Sequence, residues 1–472
     1  MDAVFLARVQ FGFTICFHFL FPPVTIGLGC ILCFVEWRGW RKNDNVYAQM
    51  GKLFGKLFAM TFAVGIASGI VMLFQFGTNW APYSNFVANV FGASLAAESF
   101  FAFFLESTFM GLYLFGRGRV SKGVHWFSLF IVSLTAATFS AFFIIAANSW
   151  QQTPAGYALR NGRAELTNLS EAIFNPSTLL RYFHVIVASL TTGAFIFASV
   201  GAWHVLKDKH SLVGRQALLL GIVCGLVFSC LEAVPLGHMH AQQVARTQPE
   251  KFAAMEGLYI GQKAAPLVLF AIPFTNPPPP KLEATVEIPG LLSYMAFGVV
   301  DAHVQGINQF PRENWPPLVI VFVSFHTMTA LGFSFIALMG LAACWLIRGR
   351  LYEARWLLKA LVWSVPLPFL AIQLGWITAE VGRQPWIVYK LLRTSEGASH
   401  TVSAQEIGFS LTLFSVIDMA LLVAWLFLML RQAKEAPETV TVESSSTIVS
   451  TTTGEASGFK GSDGHEGGIE WT

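Results

Sequence analysis

Charge is what this sequence has least of. Only 12% of its 472 residues are charged, against roughly 25% in ordinary soluble domains, while 54% are hydrophobic and 14% aromatic. Thirty Lys/Arg and 27 Asp/Glu cannot cover so large an apolar mass in water, which excludes a soluble globule. The formal net charge is +3 with no basic tract, and this excludes a nucleic-acid partner. Long apolar runs without period-two alternation exclude an outer-membrane barrel. Cysteine is also scarce: Cys16, Cys30, Cys33, Cys224, Cys230 and Cys344 all lie in apolar runs. They read as packing residues rather than a disulfide framework, and so does the single C-x-x-C formed by Cys30 and Cys33. No cleavable leader is evident. The first apolar run continues past Pro22-Pro23 without a small-residue cleavage site, so it is expected to persist as a helix.

What is present is apolar length. A spanning helix needs about 20 mainly apolar residues, and such runs occur near 10–35, 57–76, 93–115, 126–149, 178–206, 216–236, 317–347, 360–379 and 406–430. The fold expected is an all-α polytopic membrane protein of about nine transmembrane helices, with its termini on opposite sides. Cations cluster after the first, third, fifth and seventh runs, for example Arg38, Arg41 and Lys42, and then Arg348, Arg350 and Arg355. By the positive-inside rule the N-terminus is then outside and the C-terminus cytoplasmic. Residues 1–436 read as one transmembrane domain. Residues 237–316, which include Pro277-Pro278-Pro279-Pro280, form an outer connection too long for a plain link and are expected to be functional. Residues 437–472, rich in Ser, Thr and Gly, are expected to be a disordered cytoplasmic tail. Gly65-x-x-x-Gly69 suggests a close-packing seam between helices.

Ionisable groups at membrane depth cost about 2.5–3.5 kcal/mol or more each and therefore mark function. The expected spans hold Glu98, Glu106, Glu232, Glu380 and Asp418, with His18, His184 and His326 within them or at their edges, and no Lys or Arg away from the ends. Acids with imidazoles and no internal cation suit metal or heme ligation and proton relay; they do not suit an anion pathway. At 1.5 Å rise per residue, His18, Glu98, His184 and Glu380 fall in one outer layer, with Met328 about 16 Å below the start of its helix. Glu106 lies about 12 Å deeper than Glu98 and about 80° around the helix. His and Met are strong axial heme ligands. His326 and Met328 cannot share one iron, because neighbours two apart on a helix point about 200° apart. Taken singly, each of these residues also reads as an ordinary packing or hydrogen-bonded residue; only their convergence on one layer favours chemistry.

The residues around these positions resemble subunit I of the cytochrome bd-type quinol oxidases. The likeness runs through Arg8-Val-Gln-Phe, His18-Phe-Leu-Phe, Phe74-Gln-Phe-Gly-Thr-Asn-Trp80, Glu98, Phe103-Phe-Leu-Glu-Ser-Thr-Phe109, Ala147-Asn-Ser-Trp150, Gly375-Trp376, Glu380 and Gly382-Arg-Gln-Pro-Trp386. It covers nearly the whole chain except the tail. The resemblance implies that His184 and Met328 ligate a low-spin heme b. It further implies that His18 and Glu380 are proximal ligands of two high-spin hemes, one heme b and the other heme d or a further heme b. Glu98 matches an acid beside the heme held by His18, a candidate distal ligand, and Trp376 a tryptophan between hemes. Glu106, Ser107 and Ser140 match a proton pathway from the cytoplasm, Asn148 a polar position near the hemes, and Arg383 an arginine near the propionates. Lys251 and Glu256, in Lys251-Phe-Ala-Ala-Met-Glu256, match the quinol-binding segment.

Three departures qualify the match. His326 stands where many members have arginine, which resembles the cyanide-insensitive branch and weakens the case for heme d. The outer connection is of the short type. Asp418 matches no family position. The function implied is the heme-containing subunit of a terminal oxidase of the bacterial cytoplasmic membrane. It would oxidise quinol, reduce O2 to water and build a proton gradient by taking up and releasing protons on opposite sides. A second large membrane subunit is implied, and small single-helix accessory subunits are further candidate partners. The alternatives are a b-type cytochrome that only relays electrons between membrane partners, and a cation channel or transporter that would need no heme.

Overall fold

The computed structural model describes residues 2–274 and 280–435. Pro277, Pro278 and Pro279 and the tail expected over 437–472 lie outside the described residues. Among the described residues nine helical segments are long and apolar enough to cross a membrane: Ala3–Lys42, Asn45–Gly77, Ala81–Gly116, Lys122–Gln152, Thr178–Lys207, Leu212–Thr247, Leu318–Ile347, Arg355–Val381 and Ala404–Ala433. These are called the first to ninth spans. They match the expected runs one for one, and the protein is an all-α polytopic membrane protein.

Local chemistry sets the ends and breaks of these helices. Asp44 caps the second span, its Oδ1 accepting from the Val46 and Tyr47 amides at 3.0 and 3.3 Å. Ser403 and Glu406 form a capping box at the start of the ninth. Pro22 and Pro23 have no amide to donate, and the first span divides there into Ala3–His18 and Pro22–Lys42. Single π turns interrupt the fourth span at Ile131–Ala136 and the sixth at Glu232–Leu236; such turns often accompany functional sites.

Several boundaries differ from expectation: the second and third spans begin at Asn45 and Ala81, ahead of the runs near 57 and 93. The outer connection was placed from residue 237, but the helix continues over Gly237–Thr247. An apolar run marks where a helix lies in hydrocarbon, whereas its backbone hydrogen bonds persist beyond it. This polar turn is held by side chains, with Gln243 donating to Ser177 Oγ at 2.8 Å and Gln242 to the Met295 carbonyl at 2.7 Å.

The fifth span is central. Its most apolar window is 72% buried, against 11% for the ninth and 17% for the seventh, which present their sides to the surroundings. Hydrophobic burial gives little drive between helices in lipid, so close approach of small residues supplies it instead. A Cβ added to Gly27 of the first span would lie 1.8 Å from the Ser189 carbonyl oxygen, and one at Gly221 of the sixth would lie 2.2 Å from the Ala198 amide nitrogen. Backbone atoms cannot rotate away from such a contact. Gly27→Ala and Gly221→Ala are each expected to lower stability by about 1–3 kcal/mol, read as a lower thermal midpoint of the purified protein in detergent. An unchanged midpoint would disprove the seam.

The loops 153–177, 248–316 and 382–403 gather at one end, here termed the hairpin end because antiparallel pairs form there at Tyr157–Arg160 with Arg163–Leu166, and at Leu267–Phe274 with Lys281–Ile288. The helix Pro249–Glu256 lies under this cover with residues 250–256 all buried. Phe252, Leu258, Tyr259, Leu292 and Ile307 make a small core with Val244 and Val321 of the sixth and seventh spans. The segment around Lys251 and Glu256, expected in a loop, is therefore a packed helix.

Candidate functional site

Glu380, at the hairpin end of the eighth span, is the centre of a buried polar cluster. Its Oε1 accepts from Asn148 at 3.1 Å and Gln152 at 3.3 Å, both on the fourth span, and lies 3.9 Å from the Arg181 guanidinium of the fifth. Its Oε2 is paired with Arg383. Arg181 also donates to the Asn148 side chain and to Ser149 Oγ, and its guanidinium lies 5.9 Å from the centre of the Trp376 ring. Trp376, one turn before Glu380, packs edge-on against Phe19, 4.9 Å between ring centroids. The two guanidiniums outnumber the single carboxylate, an imbalance that low dielectric makes costly unless a further anion is near. Arg383 Nε and Nη1 are buried and without a hydrogen-bond partner.

Lys251 ties the hairpin-end helix to this cluster. Its ammonium donates to Gln152 Oε1 at 3.1 Å, to the Ala379 carbonyl at 3.0 Å and to Gln248 Oε1 at 3.4 Å. Burial, followed by the nearby Arg181, holds it well below the ordinary lysine range. Glu256 is buried at the other end of the helix, with Oε2 unpartnered, and burial pushes its carboxyl up to about 8. Lys251 and Glu256 are not bonded to each other. The adjacent Gly257 abuts the Phe322 ring, which stacks on His326 at 4.0 Å. The His326 ring nitrogens each lie 3.0 Å from a backbone carbonyl, of Phe322 and of Val268. His326 thus ties the Leu267–Phe274 strand to the seventh span and faces away from Met328, as the helical angle requires.

His184 lies one turn along the fifth span from Arg181. Its Nδ1 is 3.1 Å from Glu232 Oε1, at the π turn of the sixth span, and its ring lies edge-on to His240 at 5.2 Å. Met328 Sδ packs on Gly375, where an added Cβ would come within 3.1 Å of it. Gly332, one turn on along the same face, lies against Ala233, beside Glu232. His184 and Gly332, one turn from Met328, therefore meet the same π turn from two spans. His18, at the break of the first span, contacts Ser68 of the second at 2.9 Å. It lies near the cluster through Phe19 on Trp376 and through Gln373, which donates to the Cys16 carbonyl at 2.8 Å.

Asn148, Trp376, Glu380, Arg383 and Lys251 come together in one cluster. The expected proton-route residues are not bonded to that cluster among the described residues. Glu98 is buried and accepts from Ser99 at 3.3 Å. Glu106 and Ser107 follow on the third span, with Ser107 Oγ 3.5 Å from the Phe104 carbonyl, and Ser140 is half-buried on the fourth. Asp418 is 1% exposed with Oδ2 unpartnered. Contacts of Ser410 with Gln10 and of Trp425 with Phe21 bracket it, which sets it level with Thr14 to His18. Sequence reasoning missed Arg181, Gln152 and Ser68. An arginine at the edge of an apolar run looks like an interfacial anchor, and Gln or Ser in a helix carries no signal until its partner is known.

Heme, the group these residues are expected to hold, fits the donors present. Among the described residues no three His, Cys, Asp or Glu side chains gather to hold a bare metal ion. A macrocycle with its own in-plane nitrogens needs only axial side chains, and its carboxylates would answer the unpartnered Arg383 nitrogens. Residues 6–437 match the family model described as cytochrome bd terminal oxidase subunit I. The chain is 38% identical over 450 residues to cytochrome bd ubiquinol oxidase subunit 1 of Bacillus subtilis (strain 168), covering 93% of this chain and 95% of the relative. It is 31% identical over 509 residues to cytochrome bd-II ubiquinol oxidase subunit 1 of Escherichia coli (strain K12), covering 94% and 98%. Among solved structures, the bd oxidase from Geobacillus thermodenitrificans superposes with a TM-score of 0.83 at 32% identity, over 91% of this chain and 98% of that one.

Proposed function

The chain belongs to the cytochrome bd terminal oxidase subunit I family, and from that premise we propose how its residues divide the work of quinol oxidation and O2 reduction. It acts as a multi-pass subunit of the bacterial cytoplasmic membrane, paired with a second large membrane subunit and joined by small single-helix subunits. The Lys/Arg distribution puts the N-terminus and the hairpin end outside and the C-terminus in the cytoplasm. The observation that carries the reading is the bonded path from Lys251 through Gln152 to Glu380. It couples the outer helix to the buried cluster without an intervening apolar layer.

His184 and Met328 would hold a low-spin heme b. His18 and Glu380 would hold the two high-spin hemes, one heme b and the other heme d or a further heme b, with Glu98 an acid beside the heme at His18. Arg383 would meet the acid groups of a bound heme, Asn148 is a polar position near the hemes, and Trp376 bridges the surroundings of His18 and Glu380. When bound, heme supplies iron that changes oxidation state one electron at a time and, in its high-spin form, takes O2. Lys251 and Glu256 bind the quinol at the outer helix. Each quinol gives up two electrons and two protons; Glu256, once ionised, accepts a proton and passes it to the hairpin-end surface. Glu106, Ser107 and Ser140 carry protons from the opposite side toward Glu98 for water formation. Release on one side and uptake on the other build the gradient without a pump.

The test is O2 uptake by the purified complex on reduced quinol, with a pyridine-hemochrome spectrum of the same sample. Quinol-dependent uptake with b-type bands is expected. Heme without uptake would favour the relay cytochrome, and no heme band would favour a transporter. Lys251→Met should lower kcat/KM for quinol by about 10- to 100-fold, since a hydrogen bond from a charged group is worth about 1.5–3 kcal/mol. A Glu256 carboxyl near 8 is mostly protonated at neutral pH and gains its proton-accepting form as pH rises. Turnover should therefore climb toward pH ~8, and Glu256→Gln should flatten that limb.

A further inference from the structure

Ser68 of the second span is 2% exposed and lies between two possible partners. Its Oγ is 3.0 Å from the Gly65 carbonyl and 2.9 Å from His18 Nδ1. A hydroxyl that gives its one proton to the Gly65 carbonyl leaves its oxygen to accept from His18 Nδ1–H. Were Ser68 to donate to Nδ1 instead, the proton would sit on Nε2, which makes no hydrogen bond to a described residue. With Nδ1 protonated toward Ser68, the Nε2 lone pair is free.

Gly69, the next residue, supplies the space. An added Cβ there would meet His18 Cε1 at 3.2 Å, Nδ1 at 3.7 Å and Nε2 at 3.9 Å, so the ring edge rests directly on the glycine. Gly65 does the same for Phe21, whose Cβ would be 3.2 Å from an added Cβ. The Gly65-x-x-x-Gly69 seam therefore brings the break in the first span close enough for Ser68 to reach the imidazole. A buried hydroxyl aimed at Nδ1 and a glycine under the ring edge fix both its tautomer and its plane.

We propose that Ser68 is the positioning residue of His18: its hydroxyl accepts from Nδ1, turns the Nε2 lone pair toward the heme iron and raises its donor strength, with Gly69 as the bed of the ring. This rests on His18 being a heme ligand. Hydrogen-bond partners of metal-bound histidines typically account for about 10- to 100-fold in metal affinity, and a neutral serine belongs at the lower end. Ser68→Ala should lower heme retention at this site by about 10-fold and shift the iron–imidazole stretching band of the reduced protein to lower frequency in resonance Raman spectra. Ser68→Thr, which keeps the hydroxyl, should restore both. The low-spin bands assigned to His184 and Met328 should persist in Ser68→Ala, which shows that the variant has folded. A Ser68→Ala protein with the wild-type stretching band and wild-type heme retention would overturn the proposal while leaving the ligand reading intact. A His18→Ala protein that keeps every high-spin heme band would instead overturn the ligand reading, and the role of Ser68 with it.

Discussion

Met328→Leu is expected to abolish the absorbance of the low-spin heme while leaving the protein folded. Leucine has nearly the volume of methionine, and such exchanges in packed interiors cost less than about 1.5 kcal/mol. The contact with Gly375 can therefore be kept by an apolar side chain, but the sulfur lone pair cannot. His326 cannot substitute, because it points to the other side of the helix and is engaged with the Phe322 and Val268 carbonyls. Reduced-minus-oxidised spectra of the purified complex check this, and an unchanged low-spin band would sink the assignment of Met328. The thermal midpoint should move little, which separates loss of a ligand from loss of fold.

Glu380→Ala should have the opposite signature, with fold and heme lost together. The wild-type carboxylate faces Arg383, Arg181, Asn148 and Gln152. Its removal leaves two guanidiniums in a water-poor cluster without their counter-charge. Breaking a buried ion pair from one side typically costs about 3–5 kcal/mol, a large part of the total stability of an ordinary domain. The expected result is a complex that fails to accumulate or melts far below the wild type. Glu380→Gln keeps the shape and its contacts with Asn148 and Gln152 but not the charge, and should lose heme while partly preserving assembly. If the cost comes from stranded cations, Arg383→Leu introduced into Glu380→Ala should recover part of it. A double variant as unstable as the sum of the single ones would refute that origin.

The two sites differed in how far they could be read in advance. His184, Met328 and Glu380 were visible as polar or ligating residues at depth, since each violates the apolar pattern around it. Their surroundings were not. Gln152 both donates to Glu380 and accepts from Lys251, yet as one of two adjacent glutamines at a helix end it has no distinguishing mark. Lys251 and Glu256 mark the outer segment in the sequence, whereas its burial beneath the hairpin-end cover is set by tertiary packing. The helical continuation to Thr247 was likewise hidden, because hydropathy reports contact with lipid and not the persistence of backbone hydrogen bonds.

By itself, the sequence determined the class of protein, the number of spans and the residue types that lie at depth. Each of these follows from the transfer free energy of one residue at a time, a local quantity that needs no knowledge of neighbours. Only the tertiary structure decided which side chains meet. The rotation and register of one helix against another are set by backbone approach at Gly27 and Gly221 and by the His18 ring resting on Gly69, and a one-residue change in register would turn every facing side chain by about 100°. Arg181 on Glu380, Glu232 on His184 and Ser68 on His18 are products of that packing, which is why scarce charge alone could announce a membrane protein while only the packing of its helices assembles the site.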